Sequence, residues 1–324
     1  MTDRDTQDGV TLAERTIPWP RSLSPAAVAF LQASHAAPAR TMPPASDTEA
    51  WRKAIAATDA MMVQYFAGLD EAGAVSETAT VGGVTCHRVR PAGHQASDRR
   101  IYLDIHGGGL VFGAGEFARL GAVRVANLHR VETIAADYRM PPDHPYPAAL
   151  DDCVAVYAEL VARHGAGNVV IGGSSAGGNL AAALLLRARD EGLPMPAGLV
   201  LLTPEVDLTE SGDSFETLLG LDPVLKSRLT DSIALYADGH PLDDPYLSPL
   251  FGDLAGFPPT LLQSGTRDLF LSNTVRMHRR MRDAGVAAEL HVFEAMPHGS
   301  FMGAPEDAGM QRELAGFVAR CWQS

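Results

Sequence analysis

From about Glu77 onward, short apolar runs alternate with longer stretches whose apolar residues recur at helical spacing. Short continuous apolar runs mark strands buried on both faces, and a period of three to four marks a helix. SETATVGGVTCHRV predicts two short strands around Gly82-Gly83. RIYLDI, VETIAADY, NVVIGG, AGLVLLTP, PTLLQSG and AELHVFEAM predict further strands. PAALDDCVAVYAELVARHG predicts a helix closed by Gly165, and AGGNLAAALLLRARDEG and SNTVRMHRRMRDAG predict two more. A last helix is expected from about Pro305 to Cys321. Strands alternating with helices predict an α/β fold, a mostly parallel sheet covered on both faces, with its chemistry at the strands' carboxyl ends.

Two segments break the rhythm. Residues 1–70 are mostly helical in pattern. Residues 205–245 leave from the end of one strand and return before the next, so they are expected over the sheet's catalytic edge. Both are read as one helical cap on a catalytic domain of residues 71–204 and 246–324.

Composition changes this picture mainly by exclusion. The 324 residues are 46% hydrophobic, enough for one large core or two modest ones. A net charge of −13 argues against nucleic acid and against a polybasic membrane contact. Its plain meaning is a soluble surface. Cys86, Cys153 and Cys321 are widely spaced and form no CxxC pair, so neither a disulfide framework nor a zinc site is expected. The charged N-terminal stretch has no apolar core of a leader, and no apolar run reaches roughly 18 residues. A cytoplasmic location is expected.

The candidate chemistry starts at Ser175. Gly173-x-Ser175-x-Gly177 lies between a strand-like and a helix-like run, the context of a nucleophile elbow. Small residues let strand and helix approach, and the helix N-terminus favours developing negative charge. A plain glycine-rich turn or a phosphate-cradling loop gives similar composition. However, G-x-G-x-x-G is not matched there, and G-x-x-x-x-G-K-[ST] appears nowhere.

A second motif, His106-Gly107-Gly108-Gly109, ends an earlier strand. Acyl transfer needs N–H groups aimed at an oxyanion, each worth about 3–4 kcal/mol. The amides of Gly108, Gly109 and Ala176 are the candidates, with Gly107 as a substitute for one of them. His106 is read as fixing the loop by hydrogen bonds. A serine nucleophile also needs a base and an orienting acid. Asp268 follows the strand PTLLQSG, and His298 follows the last strand beside Gly299. Both fall at the carboxyl edge with Ser175.

Taken together, HGGG at 106–109, DYRMPPDHPYPAALDD at 137–152, GSSAGGN at 173–179, DPYLSPL at 244–250, Asp268 and His298 resemble the bacterial hormone-sensitive-lipase family of α/β-hydrolases. The resemblance covers about residues 100–300. It implies an eight-stranded sheet with a helical cap and a serine carboxylesterase acting on short- to medium-chain esters. It further implies a Ser175–Asp268–His298 triad with an oxyanion hole at Gly108, Gly109 and Ala176, and no metal or cofactor. A lactone hydrolase would use the same residues. An acyltransferase would share the acyl-enzyme, and a binding module of this family lacks the histidine that His298 supplies here. Some relatives pair through the edge strand and terminal helix, so a homodimer is among the expectations.

Four positions depart from the family pattern or are left open by it. Ser174 stands where many relatives carry Asp or Thr, and the acid loop reads DLFLS, without its later acidic residue. Glu205 replaces an aromatic or small residue. It either pairs with a cap residue or favours a polar or cationic alcohol portion. Asp143 is expected to support its proline-flanked turn, and Asp207 to anchor the start of the cap.

Overall fold

A computed structural model describes residue 10, residues 12–66 and residues 68–323. The charged N-terminal stretch read above as lacking a leader lies largely outside them. The strands are β1 (Val75–Val81), β2 (Val84–Arg90), β3 (Ile101–Ile105), β4 (Glu132–Ala136), β5 (Val169–Ser174), β6 (Gly198–Leu202), β7 (Thr260–Gly265) and β8 (Ala288–Phe293). They form one eight-stranded sheet in the order β1-β2-β4-β3-β5-β6-β7-β8. Only β2 runs against the others, antiparallel to β1 and β4, while the remaining neighbours pair in parallel.

The helices are α1 (Pro25–Ala36), α2 (Thr48–Val63), α3 (Glu116–His129), α4 (Ala148–His164), α5 (Ala176–Asp190), α6 (Ser214–Thr217), α7 (Thr230–Ala237), α8 (Leu271–Asp283) and α9 (Asp307–Cys321). Alternate strand residues face opposite sides of a sheet, and the core divides accordingly. Ile101, Leu103, Ile105, Ile171 and Leu201 pack with α4, α5 and α8. Tyr102, Val170, Val200 and Leu261 pack on the other face with α1 and α9. α3 covers Val89 and Ala135.

The sequence pattern missed α3. Its buried face is built largely from Ala118, Ala122 and Ala126, too small to stand out, and no side chain caps its N-terminus. The last helix starts at Asp307, two residues later than expected.

The N-terminal helices part company. Ala27 and Leu31 of α1 join the cluster of α9, and Ser24 donates from N and Oγ to the Glu306 carboxylate at 2.6 and 2.9 Å. Trp51 of α2 instead packs with Val111, Phe112 and Leu235 of α7. Thus α2 and α7 close together over the glycine loop that follows β3. Most of residues 205–245 is irregular, with only the short α6 and α7 helical. Among the described residues no helix is long and apolar enough to cross a membrane.

Candidate active site

Ser175 ends β5 and opens α5. Its φ of 56° is left-handed, a strain of about 1–3 kcal/mol that tight packing must hold in place. The Ser175 N–H donates to Leu202 O at 2.8 Å, and its carbonyl accepts from Gly178, Asn179 and Glu205. No room exists for larger neighbours: a Cβ on Gly177 would lie 1.9 Å from Ile105 O, and one on Gly173 would lie 2.1 Å from Gly177 O. The G-x-S-x-G spacing is therefore a consequence of β5, α5 and the end of β3 touching backbone to backbone. α5 itself is buried along nearly its whole length, so its N-terminal dipole acts on Ser175 with little screening.

The three residues expected to react are brought together. His298 Nε2 lies 2.9 Å from Ser175 Oγ, and His298 Nδ1 lies 2.9 Å from Asp268 Oδ1. Asp268 is fully buried and also accepts from Ser264 Oγ at 2.6 Å and Phe270 N at 3.0 Å. Three donors compensate the burial of its carboxylate. The Phe270 ring meets the His298 imidazole edge-on at 4.9 Å, and Leu218, Leu225 and Leu229 of the 205–245 segment pack around it. Burial works against protonated His298, but Asp268 and then Asp222 more than offset it, and the imidazole is held above its ordinary pKa.

The glycine loop lies against this centre. A Cβ on Gly107 would come within 3.2 Å of Ser175 Cβ, and one on Gly109 would meet Leu229 and Ser232 of the 205–245 segment. Gly108 has a φ of 136° and no space for a side chain, because Phe112 O would be 2.0 Å away. Val111 N and Phe112 N donate back to Gly108 O, at 3.1 and 2.9 Å. His106 stacks on Tyr138 with ring centroids 4.2 Å apart, and its Nδ1 bonds Gly107 O at 2.9 Å. Burial lowers its pKa to about 4, so it stays neutral and serves the loop's shape. Asp59 of α2 accepts from Gly113 N and Asp137 accepts from Gly115 N, which fixes the loop's far end.

Two expectations need correction. Glu205 does not pair with a cap residue. It is 1% exposed, and neither carboxylate oxygen has a hydrogen-bond partner among the described residues. Burial, with the Glu210 charge behind it, pushes its pKa up to about 8, so the group is a neutral acid at pH 7. Only its backbone is tied, N to Ser175 O and O to Asn179 Nδ2. Asp143 does not act within its own turn. It is exposed and forms an ion pair with Arg52 of α2 at 2.6 Å. Asp207, fully buried, accepts from Thr209, Ser211 and Arg276 and so anchors the first turn of the insertion.

Sequence reasoning missed Ser264 and Asp222. Asp222-Pro223 is a recognisable turn signal, but nothing in the sequence says which loops its carboxylate reaches.

Residues 102–302 match the family model described as the alpha/beta hydrolase fold. An esterase of Acinetobacter venetianus is 35% identical over 212 residues, 62% of this chain and 68% of that protein. An acetyl-hydrolase of Streptomyces hygroscopicus is 33% identical over 224 residues, 68% of this chain and 74% of its own length. Among solved structures, esterase E25 superposes with a TM-score of 0.86 at 34% identity, over 97% of this chain and 99% of that one. An esterase described as belonging to the bacterial hormone-sensitive lipase family superposes with a TM-score of 0.77 at 30% identity, over 93% of this chain and 98% of that one. The chain belongs to the α/β-hydrolase family, in the branch of the bacterial hormone-sensitive-lipase-type esterases.

Proposed function

We propose that this protein is a serine carboxylesterase for short- to medium-chain esters, with Ser175 as nucleophile, His298 as base and Asp268 as the orienting acid. The reaction class follows the family and the relatives named esterase and acetyl-hydrolase. The roles rest on one observation, the unbroken relay from Ser175 Oγ through His298 to Asp268 at 2.9 and 2.9 Å beside the glycine loop.

In this reading Ser175 Oγ attacks the ester carbonyl carbon as its proton passes to His298 Nε2. Asp268 accepts from Nδ1–H, selects the tautomer and stabilises the imidazolium. The amides of Gly108, Gly109 and Ala176 receive the oxyanion. His298 then protonates the departing alcohol, and water repeats the cycle on the acyl-enzyme. The cap in this reading is α2 with the 205–245 segment, whose Leu218, Leu225 and Leu229 pack around Phe270 beside His298, an enclosure that suits small acyl groups. A homodimer through the open edge of β8, where Val292 is 42% exposed, and a cytoplasmic location suited to the buried free thiols of Cys86 and Cys153 belong to the same reading. Sedimentation at micromolar concentration tests the first, and cell fractionation the second.

The deciding experiment is hydrolysis of p-nitrophenyl esters from acetate to palmitate by wild type and Ser175→Ala. The expected outcome is a short-chain optimum in wild type and a drop of about 10⁶-fold in kcat for the mutant. Equal activity in both would remove Ser175 from its role. Inactivity of both would move the weight to a lactone or to a bound, unreacted ligand.

A further inference from the structure

One fully buried carboxylate close to the relay has no part in the mechanism above. Asp222 belongs to the 205–245 segment and is 0% exposed. Its Oδ1 accepts from Val224 N at 2.8 Å and Leu225 N at 3.2 Å, a turn within its own segment. Its Oδ2 accepts from Leu269 N at 2.9 Å and from His298 N at 3.3 Å. Leu269 is the residue after Asp268. One oxygen therefore bridges the loop after β7 and the loop after β8, while the other is rooted in the cap segment.

A turn-forming aspartate needs only the Oδ1 half of this arrangement. The Oδ2 half brings a second buried carboxylate up to Asp268. Burial, and then the charge of Asp268, raises the pKa of Asp222 to about 6. The charged or titratable groups acting on it are Asp268 and His298, and of these only His298 favours its ionised form. A local turn does not explain a carboxylate held there at that cost. Buried hydrogen bonds to a charged acceptor are strong and geometrically demanding.

We propose that Asp222 is a positioning residue for the triad, holding the main chain of the acid loop and of the histidine loop in register from the cap segment and facing the imidazolium with a second negative charge. The inference rests on the triad reading given above. It couples cap to chemistry, because a cap displaced at residue 222 releases both loops at once.

Asp222→Asn separates the two halves. An amide has one acceptor oxygen, so it keeps the local turn and turns its NH₂ toward Leu269 N and His298 N. Asp222→Glu keeps the charge and displaces it by one methylene. kcat, KM and the pH profile of kcat/KM on p-nitrophenyl butyrate are measured for both, with thermal melting as the check of folding. Misplacement of reacting groups by about 1 Å costs about a hundredfold. For Asp222→Asn, kcat is expected to fall between about tenfold and a hundredfold with KM within about threefold. The acid limb is also expected to move to lower pH, since His298 loses a charge that favours its protonated form. Asp222→Glu is expected to lose kcat while keeping the wild-type acid limb.

A folded Asp222→Asn with wild-type kcat, or with lowered kcat and an unmoved acid limb, overturns the proposal. Should the Asn variant not fold, wild-type kcat in Asp222→Glu overturns it. Full activity in Ser175→Ala would defeat the triad reading itself. An inactive Ser175→Ala beside an unperturbed Asp222→Asn would defeat this inference alone.

Discussion

Asp268 and Glu205 occupy matching places on neighbouring strands. Each is the third residue past its strand, Asp268 beyond Gly265 of β7 and Glu205 beyond Leu202 of β6. They are equally dry, at 0% and 1% exposure. Asp268 faces Ser264 Oγ, Phe270 N and His298 Nδ1, whereas the Glu205 carboxylate faces no donor among the described residues. The loop after β7 turns so that N–H and O–H groups converge on its acid. The loop after β6 spends its backbone groups on Ser175 and Asn179 and leaves its acid bare. Burial alone therefore does not make a carboxylate a hydrogen-bond partner of the imidazole. The donors around it decide whether its oxygens are hydrogen-bonded or left bare.

The strongest way to break this comparison is Asp268→Asn. It keeps the shape and removes the charge that selects the His298 tautomer, so kcat should fall by about 10⁴-fold. A loss below tenfold would mean that Asp268 is as idle as Glu205, and steady-state kinetics on p-nitrophenyl butyrate decides.

Glu205→Gln tests the other member through stability. The carboxyl pKa is raised from an ordinary 4.5 to about 8 in the fold. Between those values the unfolded chain has lost the proton and the folded chain keeps it, so stability falls as pH rises. The loss amounts to about 3–5 kcal/mol and is complete above pH 8. Melting curves from pH 5 to 9 should show Glu205→Gln gaining on wild type across this window. A constant difference between the two proteins would show that Glu205 has found a partner.

Ser264→Ala removes one of the three donors to Asp268. A hydrogen bond to a charged group contributes about 1.5–3 kcal/mol, so kcat/KM should drop by roughly ten- to a hundredfold. An unchanged value would mean that Phe270 N and His298 are sufficient for this acid, and that the contrast with Glu205 rests on two donors.

Much of the site was legible because its chemistry demands unusual local sequence. The Gly173–Gly177 surround of Ser175 and the HGGG run are imposed by backbone contacts that exclude side chains, and such demands show as glycine in the chain itself. Asp268 and His298 were legible from their places after strands. The exchange of α2 and α1 between different neighbours was not, because both helices carry a similar apolar content and only packing assigns each a face. α3 escaped because alanines bury little area each, and its helix is held by the sheet beneath it.

The sequence by itself determined the alternation of strands and helices, the elbow, the glycine loop and the order of acid and histidine. Each follows from local backbone geometry or from period, and these act over a few residues. Tertiary structure alone decided which buried carboxylates find donors. Asp268, Asp222 and Glu205 are all buried carboxylates, yet one accepts from His298, one bridges two loops and one has no hydrogen-bond partner among the described residues. Their donors are main-chain and side-chain groups far away in sequence, and hydrogen bonding is directional, so only the folded positions of those groups could settle each role.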